Sequence, residues 1–290
     1  MSLTRTKSIE QSIADTDEPE HRLRKDLTAL DLTVFGVGVT IGGGLFVLTG
    51  TAANLYAGPA ISLSFVFAAI ACGLAALCYA EFASTVPVAG SAYTFSYATV
   101  GEFVAWIIGW DLILEFVVGA AAVAGGWSGY LANVLAGTPL EIPASMASAS
   151  DGVINLPAGL LVLVLTGVLI AGIKLSSRVN QIAVAVKVGV ALLFVVAGVF
   201  FIRAENLSPF VPPAEPSQGS TGMSQPLIEL VAGLEPLTYG WGGIVTGAAI
   251  VFFAFIGFDV VATTAEETRN PAHDVPRGIL GSLLICTVLY

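Results

Sequence analysis

The sequence predicts an all-α polytopic membrane protein, and three observations carry that prediction. Charge is scarce: only 11% of the 290 residues are Asp, Glu, Lys or Arg, against about 25% in soluble domains. Long apolar runs recur, and the run 61–79 holds no charge at all, where a spanning helix needs roughly 20 such residues. The basic residues gather at alternate ends of these runs.

Seven apolar segments can be traced. The first covers about 30–51, the second 61–79, and the third 103–123 with a helical extension to 135. The fourth covers 156–173, the fifth 176–201 and the sixth 240–264. The seventh begins near 279 and reaches Tyr290. Residues 1–29 read as a polar tail with no secretory signal, and 30–290 are expected to form a transmembrane domain of about six full spans and a partial seventh, incomplete at its C-terminus. The stretch 206–225, rich in Pro, Ser and Gly, reads as an extended outer loop.

Orientation follows from lysine and arginine. An inside N-terminus places Arg5, Lys7, Arg22, Arg24, Lys25, Lys174, Arg178, Arg269 and Arg277 in the cytoplasm. That is nine of the eleven basic residues, as the positive-inside rule requires. The expected location is the cell membrane, with the lipid bilayer as a partner. The net charge of −10 repels phosphate and argues against nucleic acid. Cys72, Cys78 and Cys286 lie in apolar runs without metal-like spacing, and His21 and His273 stand far apart. No cofactor or metal is expected.

Two spans carry glycine where a regular helix disfavours it. The first reads Gly42-Gly43-Gly44 near its middle, and the sixth reads Phe253-Ala254-Phe255-Ile256-Gly257-Phe258-Asp259. Each glycine costs roughly 1 kcal/mol relative to alanine in a helix. Backbone leaves the helix inside lipid only where it lines a cavity or is packed in protein, and paired interrupted spans point to a carrier built from inverted repeats. Such breaks suit a zwitterion. Free N–H groups near Gly43 and Gly44 would hold a carboxylate. Free C=O groups near Ile41 and at Phe253, Ala254 and Ile256 would hold an ammonium. The alternative is that the glycines only permit close helix packing, a pattern that Gly38 and Gly42 fit at four-residue spacing.

Lys187 and Glu115 fall deep in spans five and three, where each is a functional candidate by default. Burial disfavours a charged lysine and a nearby carboxylate favours it, so Lys187 with Glu115 could take up and release a proton. The alternative is a fixed Lys187–Glu115 structural pair. Asp111 is placed at a water-filled vestibule with no assigned role.

The segments 27–50 (LTALDLTVFGVGVTIGGGLFVLTG), 79–95 (YAEFASTVPVAGSAYTF), 109–116 (GWDLILEF) and 252–279 (FFAFIGFDVVATTAEETRNPAHDVPRGI) resemble the amino acid–polyamine–organocation transporters, and among them the cationic amino acid transporter branch. The resemblance implies a LeuT-type fold of two inverted five-helix repeats, of which this chain supplies the first and the start of the second. It implies that Gly42, Gly43, Gly44, Phe253, Ala254 and Ile256 hold the substrate, with Phe253 also gating the pocket, and that Lys187 stands where proton-coupled relatives carry a lysine. Relatives often place Ser, Thr or Ala at Gly43. The functional expectation is an amino acid permease working as a proton symporter by alternating access. Its rival is a membrane-embedded sensor or scaffold that binds an amino acid without moving it. An intramembrane enzyme is disfavoured, because serine and histidine converge in no span.

Overall fold

The computed structural model describes residues 5–16, 25–147, 154–171, 173–216 and 237–290. The bases Arg22 and Arg24, and residues 217–225 of the expected outer loop, lie outside them, as do the side chains of Lys174 and Arg178. Among the described residues the architecture is helical apart from one short antiparallel pair, β1 (Glu215–Pro216) with β2 (Leu237–Thr238).

A short helix in the tail, α1 (Ile9–Thr16), precedes α2 (Ala29–Thr40), the inner part of span one. Thr28 and Asp31 form a reciprocal capping box at the start of α2, satisfying two backbone N–H groups that would otherwise lack partners. With 12 residues, α2 reaches about 18 Å at 1.5 Å per residue, little more than half of a bilayer core. After the break the chain resumes as a π-helical turn at Gly44–Leu48, then α3 (Thr49–Ala52) and a second π-helical turn, Ala53–Ala57. Span two is α4 (Ile61–Thr85).

A loop with positive φ at Gly90 and Ser91 leads into α5 (Ser91–Thr99), a helix absent from the segment reading. Span three is α6 (Glu102–Leu135), which contains the whole expected extension. After the short α7 (Ala144–Ala147) come α8 (Leu156–Ile170) and α9 (Ile173–Val199). Span six opens as α10 (Gly240–Val251), tightens into a 3-10 turn at Phe252–Phe255, and resumes as a 3-10 stretch at Asp259–Glu267. Span seven is α11 (Pro271–Leu289), which starts eight residues before the hydropathy reading placed it. Proline at its first position and Asp274 in its first turn are helix-start signals that hydropathy does not weigh.

Among the described residues, five helical stretches are long and apolar enough to cross a membrane: Gly44–Thr85, Glu102–Leu135, Gln181–Val199, Gly240–Glu267 and Pro271–Leu289. The shorter apolar helices α2 and α8 complete the seven expected segments. The main core joins α2, α4, the middle and inner part of span six and α11, around Leu32, Phe65, Phe255, Val261 and Ile279. By contrast α6, α8 and α9 present outward rows of large apolar side chains such as Trp106, Leu114, Leu163 and Phe194. Such rows fit a hydrocarbon surround.

Candidate functional site

The two interrupted spans face one another across a cavity. In span one the helix ends because Ile41 turns to extended backbone, φ −72° and ψ 98°. In span six it ends at Ile256, with φ −56° and ψ 133°, followed by Gly257 at φ +114°, a conformation that a side chain strongly disfavours. The glycines of span one serve a different purpose: Gly43 holds ordinary helical angles. A Cβ added to Gly44 would collide with the Cα of Ala254, so this glycine lets the backbones of spans one and six touch. A Cβ on Gly43 would meet only Val123 Cγ2 at 3.5 Å, and on Gly42 only the Thr40 carbonyl at 4.0 Å.

Between the breaks lies a cavity of about 160 Å³ lined by Val39, Thr40, Gly42, Gly43, Gly44, Glu115, Phe116, Gly119, Ala120, Val123, Phe253, Ile256, Gly257 and Val260. At about 30 Å³ per water it holds the equivalent of some five waters, well below the roughly 300 Å³ where drug-sized pockets begin. Its size suits a small metabolite. Among the described residues that line it, Glu115 and Thr40 alone carry side-chain oxygen; the rest of the wall is apolar or backbone.

The breaks leave helix ends inside the apolar region. The first N–H groups of the outer part of span one, at Gly42–Gly44, have no preceding turn to bond to, because Ile41 has left the helix. Of the last four carbonyls of α2, Val37 accepts from Ile41 N at 3.0 Å and Gly38 from Lys187 Nζ at 2.9 Å. Thr40 accepts from the Tyr290 hydroxyl at 2.8 Å, and Val39 belongs to the cavity wall. The Thr40 side-chain hydroxyl is buried and has no hydrogen-bond partner; the Cys286 thiol lies beside it but outside bonding geometry.

The expected site residues divide into three groups. Gly42, Gly43, Gly44, Phe253, Ile256 and Glu115 share the cavity wall. Ile41 and Ala254 sit directly behind it and are buried in the core, and the Ala254 carbonyl accepts from the Tyr290 hydroxyl at 2.9 Å. Lys187 lies on the far side of α2. There α9 approaches so closely that a Cβ on Gly38 would strike Val184, so Gly38 is the packing glycine of its pair and Gly42 is not.

Lys187 and Glu115 do not meet. The structural pair between them is not formed, because Lys187 spends its ammonium on the Gly38 carbonyl while Glu115 turns to the cavity. Glu115 instead shares its surroundings with Asp111 and Asp259. Span three is tied to the outer part of span one by the Tyr130 hydroxyl, which donates to the Phe46 carbonyl at 2.5 Å.

Sequence reasoning missed Val39, Thr40, Phe116, Gly119, Ala120, Val123 and Val260. Four of these, all in span three, carried a signal. Once Glu115 is placed in the wall, helical spacing brings 116, 119, 120 and 123 to the same face. Thr40 carried none, since nothing local distinguishes it from other membrane threonines.

Residues 27–290 match the amino acid permease family. The branched-chain amino acid permease of Bacillus subtilis is 47% identical over 295 residues, covering 100% of this chain and 57% of that protein. The methylthioribose transporter of the same bacterium is 42% identical, covering 100% and 58%. The vacuolar cationic amino acid transporter 2 of Arabidopsis thaliana is 45% identical, covering 100% and 42%. The chain spans about half the length of the curated relatives it matches. With two helix breaks closed around one small cavity and the family match running through both, the chain belongs to the amino acid permeases of the amino acid–polyamine–organocation superfamily.

Proposed function

We propose that this chain forms the substrate-binding part of a secondary active amino acid carrier of the cell membrane, with its N-terminus in the cytoplasm and a LeuT-type inverted-repeat fold. Its role is binding and translocation, with no chemical change to the substrate. The observation that carries this reading is the pair of helix ends at one cavity. N–H groups of Gly42–Gly44 point a positive dipole end at a carboxylate, and carbonyl ends from span one near Ile41 and from span six at Ile256 suit an ammonium, whereas the Phe253 carbonyl already accepts from Ile256 N at 3.3 Å and offers only its second lone pair. The buried Thr40 hydroxyl, with the Cys286 thiol beside it, adds a polar group to the cavity wall. The relatives' names span branched-chain and cationic amino acids. That spread is consistent with recognition of the α-amino and α-carboxyl groups by backbone, with side-chain choice left to the apolar wall and Glu115.

In this reading transport is proton symport by alternating access. As an ammonium Lys187 makes a charge-assisted bond to the Gly38 carbonyl; as a neutral amine it keeps N–H donors but loses the charge, and the bond weakens. Proton loss would therefore loosen the hold of α9 on the end of α2, and so couple titration to the stability of the span-one break. Glu115, in the wall and unpaired with Lys187, would link that event to substrate occupancy.

The test is uptake of each of the twenty amino acids into proteoliposomes, with and without an inward proton gradient, using the full-length protein. Accumulation of at least one amino acid that collapses when the gradient is dissipated is the expected result. Lys187→Met is expected to abolish gradient-driven accumulation while leaving counterflow exchange measurable. Glu115→Gln is expected to flatten the pH dependence of uptake. Binding without any uptake would establish the sensor reading instead, and gradient-driven uptake surviving in Lys187→Met would remove the coupling role.

A further inference from the structure

Among the described residues, one side chain touches both helix breaks. The Tyr290 hydroxyl lies 2.8 Å from the Thr40 carbonyl, the last of α2, and 2.9 Å from the Ala254 carbonyl, in the 3-10 turn that ends the outer part of span six. A hydroxyl has one proton, so the two carbonyls share a single donor, which sits midway between the two unwound segments. The ring is fixed by Phe255 at 5.1 Å and Phe65 at 5.7 Å between centroids. The donor is therefore held by packing, independently of any ligand.

Neither carbonyl has a turn of helix ahead of it to supply a donor. Left alone, each would be a buried acceptor at the edge of the cavity, free to swing toward it. Ala254 also backs directly onto Gly44, so the position of its carbonyl sets how closely the N–H groups at Gly42–Gly44 face span six.

We propose that Tyr290 is a positioning residue for the substrate site: its hydroxyl clips the unwound end of span one to the unwound part of span six and fixes the spacing of their backbone groups. This rests on the carrier reading above and adds to it a residue that touches no substrate. Because the clip acts on backbone that meets the parts common to all amino acids, its loss weakens every substrate by the same factor.

The test compares the full-length protein with Tyr290→Phe, which keeps the ring and removes only the hydroxyl, and with Tyr290→Leu, which removes both. Uptake of leucine and of lysine into proteoliposomes gives KM and turnover. Hydrogen–deuterium exchange on the purified proteins reports backbone mobility. Tyr290→Phe is expected to raise KM for both amino acids about fivefold, the worth of one net hydrogen bond, with turnover per folded molecule unchanged. Exchange should quicken in 38–46 and 252–258 and stay as in the wild type elsewhere. Tyr290→Leu should in addition lower the melting temperature. A Tyr290→Phe protein with wild-type KM and wild-type exchange overturns the proposal. So does a KM change that differs more than about threefold between leucine and lysine, because that would make Tyr290 a side-chain contact. A wild-type protein that moves neither amino acid sinks the carrier reading by itself, while the exchange comparison still decides whether the clip exists.

Discussion

Gly43 and Gly44 are neighbours of the same type, yet the structure gives them unlike tasks. A Cβ on Gly44 meets backbone, the Cα of Ala254, whereas one on Gly43 meets the movable end of Val123 at 3.5 Å. Backbone cannot step aside as a side chain can, and overpacking costs about 1–3 kcal/mol even where some relaxation is possible. Gly44→Ala is therefore expected to lower the melting temperature by several degrees and to remove substrate binding, and Gly43→Ala to keep both within about twofold. Thermal melts and uptake on the same preparations check the pair. This contrast was closed to the sequence, because it depends on which residue of a helix some two hundred positions away lies opposite. That Gly43 has room for a Cβ agrees with the Ser, Thr or Ala that the family resemblance implies at this position.

Among the elements, the breaks were legible and their partners were not. A glycine triplet inside one apolar run and Ile256-Gly257 inside another are enough to foresee interrupted helices, since helix propensity and the need to satisfy backbone in lipid both act locally. The acceptor for Lys187 was not foreseeable. Every carbonyl is invisible in a sequence, so Lys187 is paired there with a carboxylate at similar depth, Glu115, and in the structure bonds Gly38 instead. The helix α5 was missed for a related reason: its start needs positive φ at Gly90 and Ser91, which no hydropathy window registers. Two substitutions test how the elements end. Gly257→Ala forces a side chain into φ +114° and within 2.7 Å of Val39 Cγ1, so a loss of about 1–3 kcal/mol is expected, read as a lower melting temperature with weakened substrate binding. Thr28→Ala removes the capping box of α2 and should cost about 1 kcal/mol. Its distance along the helix from the break leads us to expect an unchanged KM.

For the whole molecule, close packing is unevenly shared. The continuous core runs through α2, α4, span six and α11, while α6 and α9 reach that body through a few defined points: Tyr130 on Phe46, and Val184 with Lys187 at Gly38. At one end of the same body the backbone of Leu27 bonds both to Glu267, N to O at 3.0 Å, and to Arg269, O to N at 3.0 Å. Glu266 accepts from Ala89 N at 3.2 Å. Hydrogen exchange is accordingly expected to slow together in the four core elements and to be faster along α9. The seven-segment layout and its all-helical class could be read from apolar run lengths alone, since bilayer thickness imposes them. The division into a tight body and loosely joined neighbours could not, because it rests on small-residue contacts between helices remote in sequence.

The stitch at Leu27 has a mechanical corollary. The entry to span one and the exit from span six are fastened main chain to main chain, so neither can tilt without carrying the other. A swing that exposed the cavity to the opposite compartment would have to turn this fastened pair as one plank, pivoting on the sparse footholds of α6 and α9, or else unpick those two bonds first. Cross-linking cysteines placed at 27 and 268 would leave the first motion free and arrest the second.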